Sequence, residues 1–166
     1  MYDTSLRVAT NGTYTPASQD YPTILSIGRS YFESYRTWPG VQYIHGFNLG
    51  KNGTAGLETL QATIPLVCDA ISDGRLFAFE LGNEPDLYKT SSQGVIRPKN
   101  WTEQDYVNEW VTKTRLIKSL INSNCSAGYA YITPSFAGVK NSLDPVRVWQ
   151  DKLGQDGSIK QISSHK

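Results

Sequence analysis

Apolar positions along the 166-residue chain alternate between helical and strand-like spacing. Ile27, Tyr31, Tyr35 and Trp38 fall on one helical face, and Pro39-Gly40 ends that segment. Val41 to Phe47 then reads as a strand ending at Asn48. A helix is predicted over about 55–72, with Leu57, Leu60, Ile64, Val67 and Ile71 on one side. Pro65 is expected to kink that helix or split it in two, and Asp73-Gly74 to stop it. Leu76 to Leu81 is the clearest strand and runs straight into Gly82-Asn83-Glu84-Pro85.

After a loop at 86–100 comes the best-defined helix, with Thr102 as its N-cap and Asp105 in its first turn. Trp101 and Tyr106 occupy the staple positions on either side of that cap. Val107, Trp110, Val111, Thr114, Ile117 and Ile121 make the stripe expected to be buried. A strand over 129–133, a short helix over 144–153 and a strand over 160–165 complete the series. Residues 1–22, with Asn11-Gly12, Pro16 and Pro22, read as loop.

Helices and strands thus alternate with no hairpin signal between strands, which predicts a parallel sheet. Strand ends near Asn48, Asn83, Pro134 and His165 are mostly separated by the roughly 30 residues of a βα unit in an eight-fold barrel. A doubly wound sheet is the rival, but the phosphate-binding GxGxxG and GxxxxGK[ST] loops are missing. The predicted fold class is therefore α/β, a partial (β/α)8 TIM barrel of roughly strands 3 to 6. The domain expectation is that residues 1–166 are one stretch of a single catalytic barrel, lacking its first strands, a later strand and any C-terminal β-domain. Such a piece leaves two open sheet edges, so in isolation it is expected to aggregate or stay molten, and to be inactive.

Composition narrows the function classes. The formal net charge of +1 points to no nucleic-acid partner, and no apolar run reaches the roughly 18 residues of a membrane span. Sequons at Asn11, Asn52, Asn100 and Asn124 exceed the roughly one or two expected by chance and point to a secreted, extracellular protein. No leader precedes Tyr2, and the chain stops abruptly at Lys166, so both ends read as those of a fragment. Cys68 and Cys125 fall on adjacent helices, where a disulfide or two buried thiols would fit equally well. Neither belongs to a CxxC pair, and with two His no zinc pattern arises; no metal or cofactor is expected.

The chemistry concentrates after the clearest strand. In a parallel barrel, active sites lie at the C-terminal strand ends. By alternation Ala78, Glu80, Gly82 and Glu84 point inward, while Phe77, Phe79 and Leu81 face the helices. Glu80 is taken as a buried structural residue and His45, of parity opposite to Asn48, as core. Gly82 allows close approach, and Pro85 stiffens the turn that aims Glu84 into the mouth. A carboxylic acid so placed can protonate the leaving oxygen of a glycosidic bond.

The segment Phe79-Glu80-Leu81-Gly82-Asn83-Glu84-Pro85, continuing to Tyr88, is similar to the acid/base signature of retaining barrel glycosidases. Together with Ser30 to Tyr35, Tyr43 to Gly50, Thr133-Pro134-Ser135 and Ile162 to His165, it resembles glycoside hydrolase family 79, the β-glucuronidases and heparanase-like enzymes. The resemblance covers most of 24–166. It implies that Glu84 is the acid/base, that Asn83 hydrogen-bonds the sugar beside the reacting carbon, that Asn48 lines the same pocket and that His165 lies near the substrate. The family's nucleophile, a second Glu on a later strand, is not in this chain. The implied activity is retaining cleavage of β-linked glucuronic acid, with a carbohydrate substrate as the partner. A related barrel glycosidase acting on a neutral sugar, and a non-catalytic carbohydrate-binding or truncated product, are the alternatives.

Overall fold

The computed structural model describes residues 15–16, 22–24, 27–71, 73–91, 94–124 and 129–165. Most of the loop expected over 1–22 lies outside these. Thr15–Pro16 (β1) pairs antiparallel with Pro22–Ile24 (β2), a small ribbon the sequence reading had as loop. The body of the chain alternates α1 (Arg29–Glu33), β3 (Tyr43–Phe47), α2 (Gly53–Ala70), β4 (Leu76–Leu81), α3 (Glu103–Asn124), β5 (Tyr131–Phe136), α4 (Pro145–Gln150) and β6 (Ile159–Ser164). Strands β3-β4-β5-β6 form one sheet in chain order, every pair parallel. Parallel neighbours need a crossover between them, and each crossover here contains a helix. Among the described residues no helix is long and apolar enough to cross a membrane.

Alternation along the strands sends one set of side chains into the layer between sheet and helices. A chain of ring contacts crosses that layer: Phe32 to His45 at 6.0 Å, His45 to Phe47 at 4.8 Å, Phe47 to Phe79 at 4.9 Å, Phe79 to Tyr131 at 6.1 Å and Tyr131 to Trp110 at 5.2 Å between centroids. Leu60, Ile64 and Val67 from α2 with Ile71 just past its end, and Trp110, Ile117 and Ile121 from α3, close over it as the expected stripes. Cys68 is buried in the same layer and is disulfide-bonded; Cys125 lies outside the described residues.

Four expectations are corrected. The segment over 27–38 is one α-helical turn tightened into a 3₁₀ turn at Ser34–Arg36, so the helical spacing does not persist. Phe32 is buried instead, whereas Tyr31 and Trp38 stand exposed. Of the kink or split expected at Pro65, the split does not occur: α2 runs as one helix through it. The carbonyl that loses its donor belongs to Gln61, which is exposed, so the missing bond costs little there. Phe77 does not join the core, because the register steps from Tyr43↔Leu76 to Ile44↔Ala78 and skips it; Lys160 Nζ lies 3.9 Å from its ring centroid. Finally, β5 does not end near Pro134 but continues to Phe136, with the Thr133–Pro134 peptide cis and the pairing with β6 shifting between Ile132 and Ser135. A proline without an N–H is tolerated where the ladder is already irregular.

The cap of α3 forms as read. Asp105 N–H donates to Thr102 Oγ1 (3.2 Å), and Asp105 Oδ2 accepts from Thr102 N–H (2.8 Å) and from its hydroxyl (2.8 Å). Trp101 and Tyr106 meet edge to face at 6.1 Å.

His45 is a core residue, as the sequence reading had it. It is 4 % exposed, and its Nδ1 lies 2.7 Å from the Tyr35 hydroxyl. Burial lowers its pKa from 6.5 to about 4, so the fold holds it neutral. As the pH falls, the unfolded chain takes up this proton first. The contribution is fully present above about pH 6.5 and is lost progressively toward pH 4, amounting to about 3 kcal/mol. Urea unfolding of the full-length protein between pH 7 and 4.5 should show this loss, and His45→Phe should flatten it; parallel slopes for the two proteins would refute the assignment.

Candidate active site

The site is built on the carboxyl ends of β3 to β6. Gly82 has φ +88°, and a Cβ there would meet Leu49 Cβ at 2.7 Å and the Tyr88 hydroxyl at 3.2 Å. The position thus demands glycine both for its backbone and for space. What comes close is the chain's own Leu49 and Tyr88. Gly82 N–H donates to Phe47 O (2.9 Å), which levels the end of β4 with that of β3.

Glu84, two residues on, is also left-handed (φ 50°, ψ 50°), a conformation that costs a non-glycine residue about 1 kcal/mol or more. It is held there by Glu84 N–H to Ser135 O (2.8 Å) on one side and by Leu87 N–H to Glu84 O (2.9 Å) on the other. Pro85 opens the 3₁₀ turn Pro85–Leu87, where its fixed φ fits.

The Glu84 carboxyl meets His165. Nδ1 of the imidazole lies 2.9 Å from Glu84 Oε1, with both side chains about one-third exposed. His165 follows the last residue of β6, and its N–H donates to Phe136 O (2.9 Å). Glu84 and His165, 81 positions apart, are therefore both hung on consecutive carbonyls at the end of β5. An ionised Glu84 accepts the Nδ1 proton; a protonated one donates to Nδ1.

Asn48 and Asn83 share this end of the sheet. Asn83 stands exposed beside Glu84, whereas Asn48 is half-buried and its Oδ1 accepts from Lys51 N–H (3.2 Å), closing the turn after β3. Glu80 is half-buried within β4. The sequons at Asn52 and Asn100 are exposed; Asn11 and the side chain of Asn124 lie outside the described residues. Among the described residues no cluster of His, Cys, Asp and Glu could hold a metal ion.

Several residues that shape the site were not found by sequence reasoning. Asp86 is fully buried; its carboxylate accepts from Ala137 N–H (2.8 Å), Gly138 N–H (3.2 Å) and Asn141 Nδ2 (2.6 Å). Arg97, 2 % exposed, forms a two-pronged pair with Glu109 (shortest 2.6 Å) and donates to Leu49 O (3.0 Å) and Gly50 O (2.8 Å). Its guanidinium lies 5.5 Å from the Tyr88 centroid and 5.3 Å from that of Trp101. Lys113 adds bonds to Leu49 O (2.8 Å) and Lys51 O (2.7 Å), and burial lowers its pKa to about 8. Gly56 lets the Lys51 carbonyl approach, since a Cβ would stand 2.3 Å from that oxygen. The one available signal was Glu109 and Lys113 lying in and beside the apolar stripe of α3, four residues apart.

A cavity of about 450 Å³, lined by Arg36, Asp69, Asp73 and Arg75 among others, lies away from this site. Its charges pair with one another, Arg36 with Asp69 at 3.1 Å and Arg75 with Asp73 at 2.6 Å.

No protein-family model matches the chain. Among curated proteins it is similar to a β-glucuronidase of Aspergillus niger, 54% identical over 168 aligned residues, and to a β-glucuronidase of Neurospora crassa, 46% identical over 173. Each alignment covers 99% of this chain and 31% of the relative, so the chain spans about a third of the length of the proteins it matches. Among solved structures it superposes on a 4-O-α-L-rhamnosyl-β-D-glucuronidase from Fusarium oxysporum 12S, in a Rha-GlcA complex, with a TM-score of 0.67 and 25% identity over 99% of this chain and 33% of that one. The resemblance to β-glucuronidases read from the sequence is borne out, and the parallel four-stranded sheet matches part of a glycosidase.

Replacing Gly82 with Ala combines a left-handed backbone with a contact closer than side chains make. It should destabilise the full-length protein by about 2–4 kcal/mol, read as a lowered urea midpoint at unchanged slope. A midpoint within error of the parent would contradict the tight approach of Leu49.

Proposed function

From this homology we propose that the chain carries the acid/base half of a retaining β-glucuronidase site. Its sheet would then be roughly strands 3 to 6 of a (β/α)8 barrel, and residues 1–166 one stretch of that catalytic domain. Supporting this, Ile44 alternates with helix-facing Tyr43 and His45 and is half exposed, and Ile162 on β6 is 61 % exposed; closure of a barrel would bury both. Secretion follows from the same reading and from the sequons.

In this reading Glu84 is the general acid and then the general base. It donates a proton to the leaving oxygen while a carboxylate from another part of the barrel, about 5–5.5 Å from the Glu84 carboxyl, attacks the anomeric carbon from the opposite face. It next deprotonates the water that releases glucuronic acid, and is thereby returned to its protonated form. The observation that carries the proposal is the Glu84 carboxyl itself: fixed by a left-handed turn at a strand end, partly open to solvent and hydrogen-bonded to His165.

His165 keeps the carboxyl oriented in both protonation states, since its Nδ1 can donate to the anion or accept from the acid. Asn83, exposed beside Glu84, is placed to hydrogen-bond the hydroxyl next to the reacting carbon, and Asn48 to line the pocket. The substrate is a β-linked glucuronide of a polysaccharide or glycoconjugate, and no cofactor or metal takes part.

The test is turnover by the full-length protein of p-nitrophenyl β-D-glucuronide beside the β-xyloside and β-glucoside. The glucuronide should be preferred, and Glu84→Gln should lower kcat/KM on a poor leaving group by about 10²–10⁴-fold. A preference for a neutral sugar would overturn the uronate assignment, and an unaffected Glu84→Gln the acid/base role.

A further inference from the structure

The turn that presents Glu84 is gripped on both sides. Upstream, Glu84 N–H is bonded to Ser135 O; downstream, Asp86 is bonded to the loop that follows β5. That second grip consists of one fully buried carboxylate receiving three neutral donors, from Ala137, Gly138 and Asn141. The Asp86 carbonyl accepts as well, from Ser142 N–H (3.2 Å) and from the Ser142 hydroxyl. A charge with no solvent contact is retained only where fixed dipoles replace its hydration, so the loop over 137–142 must close around it.

The arrangement has one consequence for chemistry. The donors to Asp86 begin one residue after Phe136, whose carbonyl receives His165 N–H. The same short stretch, 135–142, thus fixes Glu84 through Ser135, the turn after Glu84 through Asp86, and His165 through Phe136. We propose that Asp86 is a positioning residue for proton transfer: it locks the turn after β4 to the loop after β5 and so keeps the Glu84 carboxyl in register with His165. Asp86 itself does not face the sugar. This inference rests on the acid/base reading of Glu84.

Its mark is dependence on the leaving group. An acid held out of register fails where the departing oxygen needs a proton, and matters little where that oxygen leaves as a stable anion. A merely structural lesion lowers the amount of active enzyme and reduces both rates equally. In Asp86→Asn one oxygen remains to accept, but the new NH₂ confronts donors. The full-length Asp86→Asn protein should lose about 10–100-fold in kcat/KM on an alkyl glucuronide, a ratio that reports the step in which the leaving oxygen is protonated. It should lose only a few-fold in kcat/KM on 2,4-dinitrophenyl β-D-glucuronide, whose leaving oxygen needs no proton.

Because loss of a buried carboxylate can prevent folding, exposed Asn141→Ala provides the second measurement. It removes one donor from Asp86 and should show the same discrimination in weaker form. Equal losses on both substrates in the variants that fold would overturn the proposal. If Glu84→Gln itself shows no discrimination between the two leaving groups, the acid/base reading fails first; if it does and the Asp86 and Asn141 variants do not, only the positioning role fails.

Discussion

The end of β5 is the constraint on which the site depends. Ser135 and Phe136 offer two successive carbonyls, and these receive the N–H groups of Glu84 and His165 from the strands on either side. In a parallel sheet neighbouring strands are joined only through a crossover, so their ends have no covalent reason to be level. The level is set by such bonds. The cis peptide at Thr133–Pro134 and the register shift beside it lie just below this point. Moving the β5 end would displace the Glu84 carboxyl and the His165 imidazole together.

Around that point the chain uses charge sparingly and mostly as a fastener. Arg97 and Lys113, both buried, aim at carbonyls of 49–51, groups left without strand partners once β3 has ended. A buried carbonyl without a donor costs about 1–3 kcal/mol, so satisfying Leu49 O, along with the half-buried carbonyls of Gly50 and Lys51, helps to hold so tight a loop. Glu109 balances the guanidinium and also accepts from Trp101 Nε1 (3.0 Å), and the rings of Tyr88 and Trp101 flank the cation. Asp86 is the anionic counterpart on the next loop. The site thus rests on polar clamps above an aromatic core, each suited to its place: directional bonds fix loop geometry, and apolar burial supplies cohesion.

Much of this was legible beforehand. The alternation of elements, the parallel order, the cap at Thr102 and Asp105, and the placement of His45 in the core all came from spacing and residue type. So did the position of Glu84 at a strand end, while the placing of His165 near the substrate came from the family resemblance. The failures share a cause. The segment over 27–38 kept its helical period on paper but tightened after one turn, and Pro65 met an exposed turn that could do without one bond. Pattern reading assumes an ideal element throughout, and local adjustments of a few tens of degrees are invisible to it.

By itself the sequence determined most of the helices and strands and set the Glu84 carboxyl at a strand end, because these depend on neighbours within a few positions. It could not determine that Asp86 is buried among donors from 137–141, that Arg97 reaches 49–50, or that Glu84 touches His165. Those partners are 47 to 81 residues apart, and nothing in the local chain encodes the distance between them. Only the closing of the sheet under its helices brings them within 3 Å or so, and there a charged side chain otherwise fit for the surface becomes the most stable way to satisfy the backbone groups left at the strand ends.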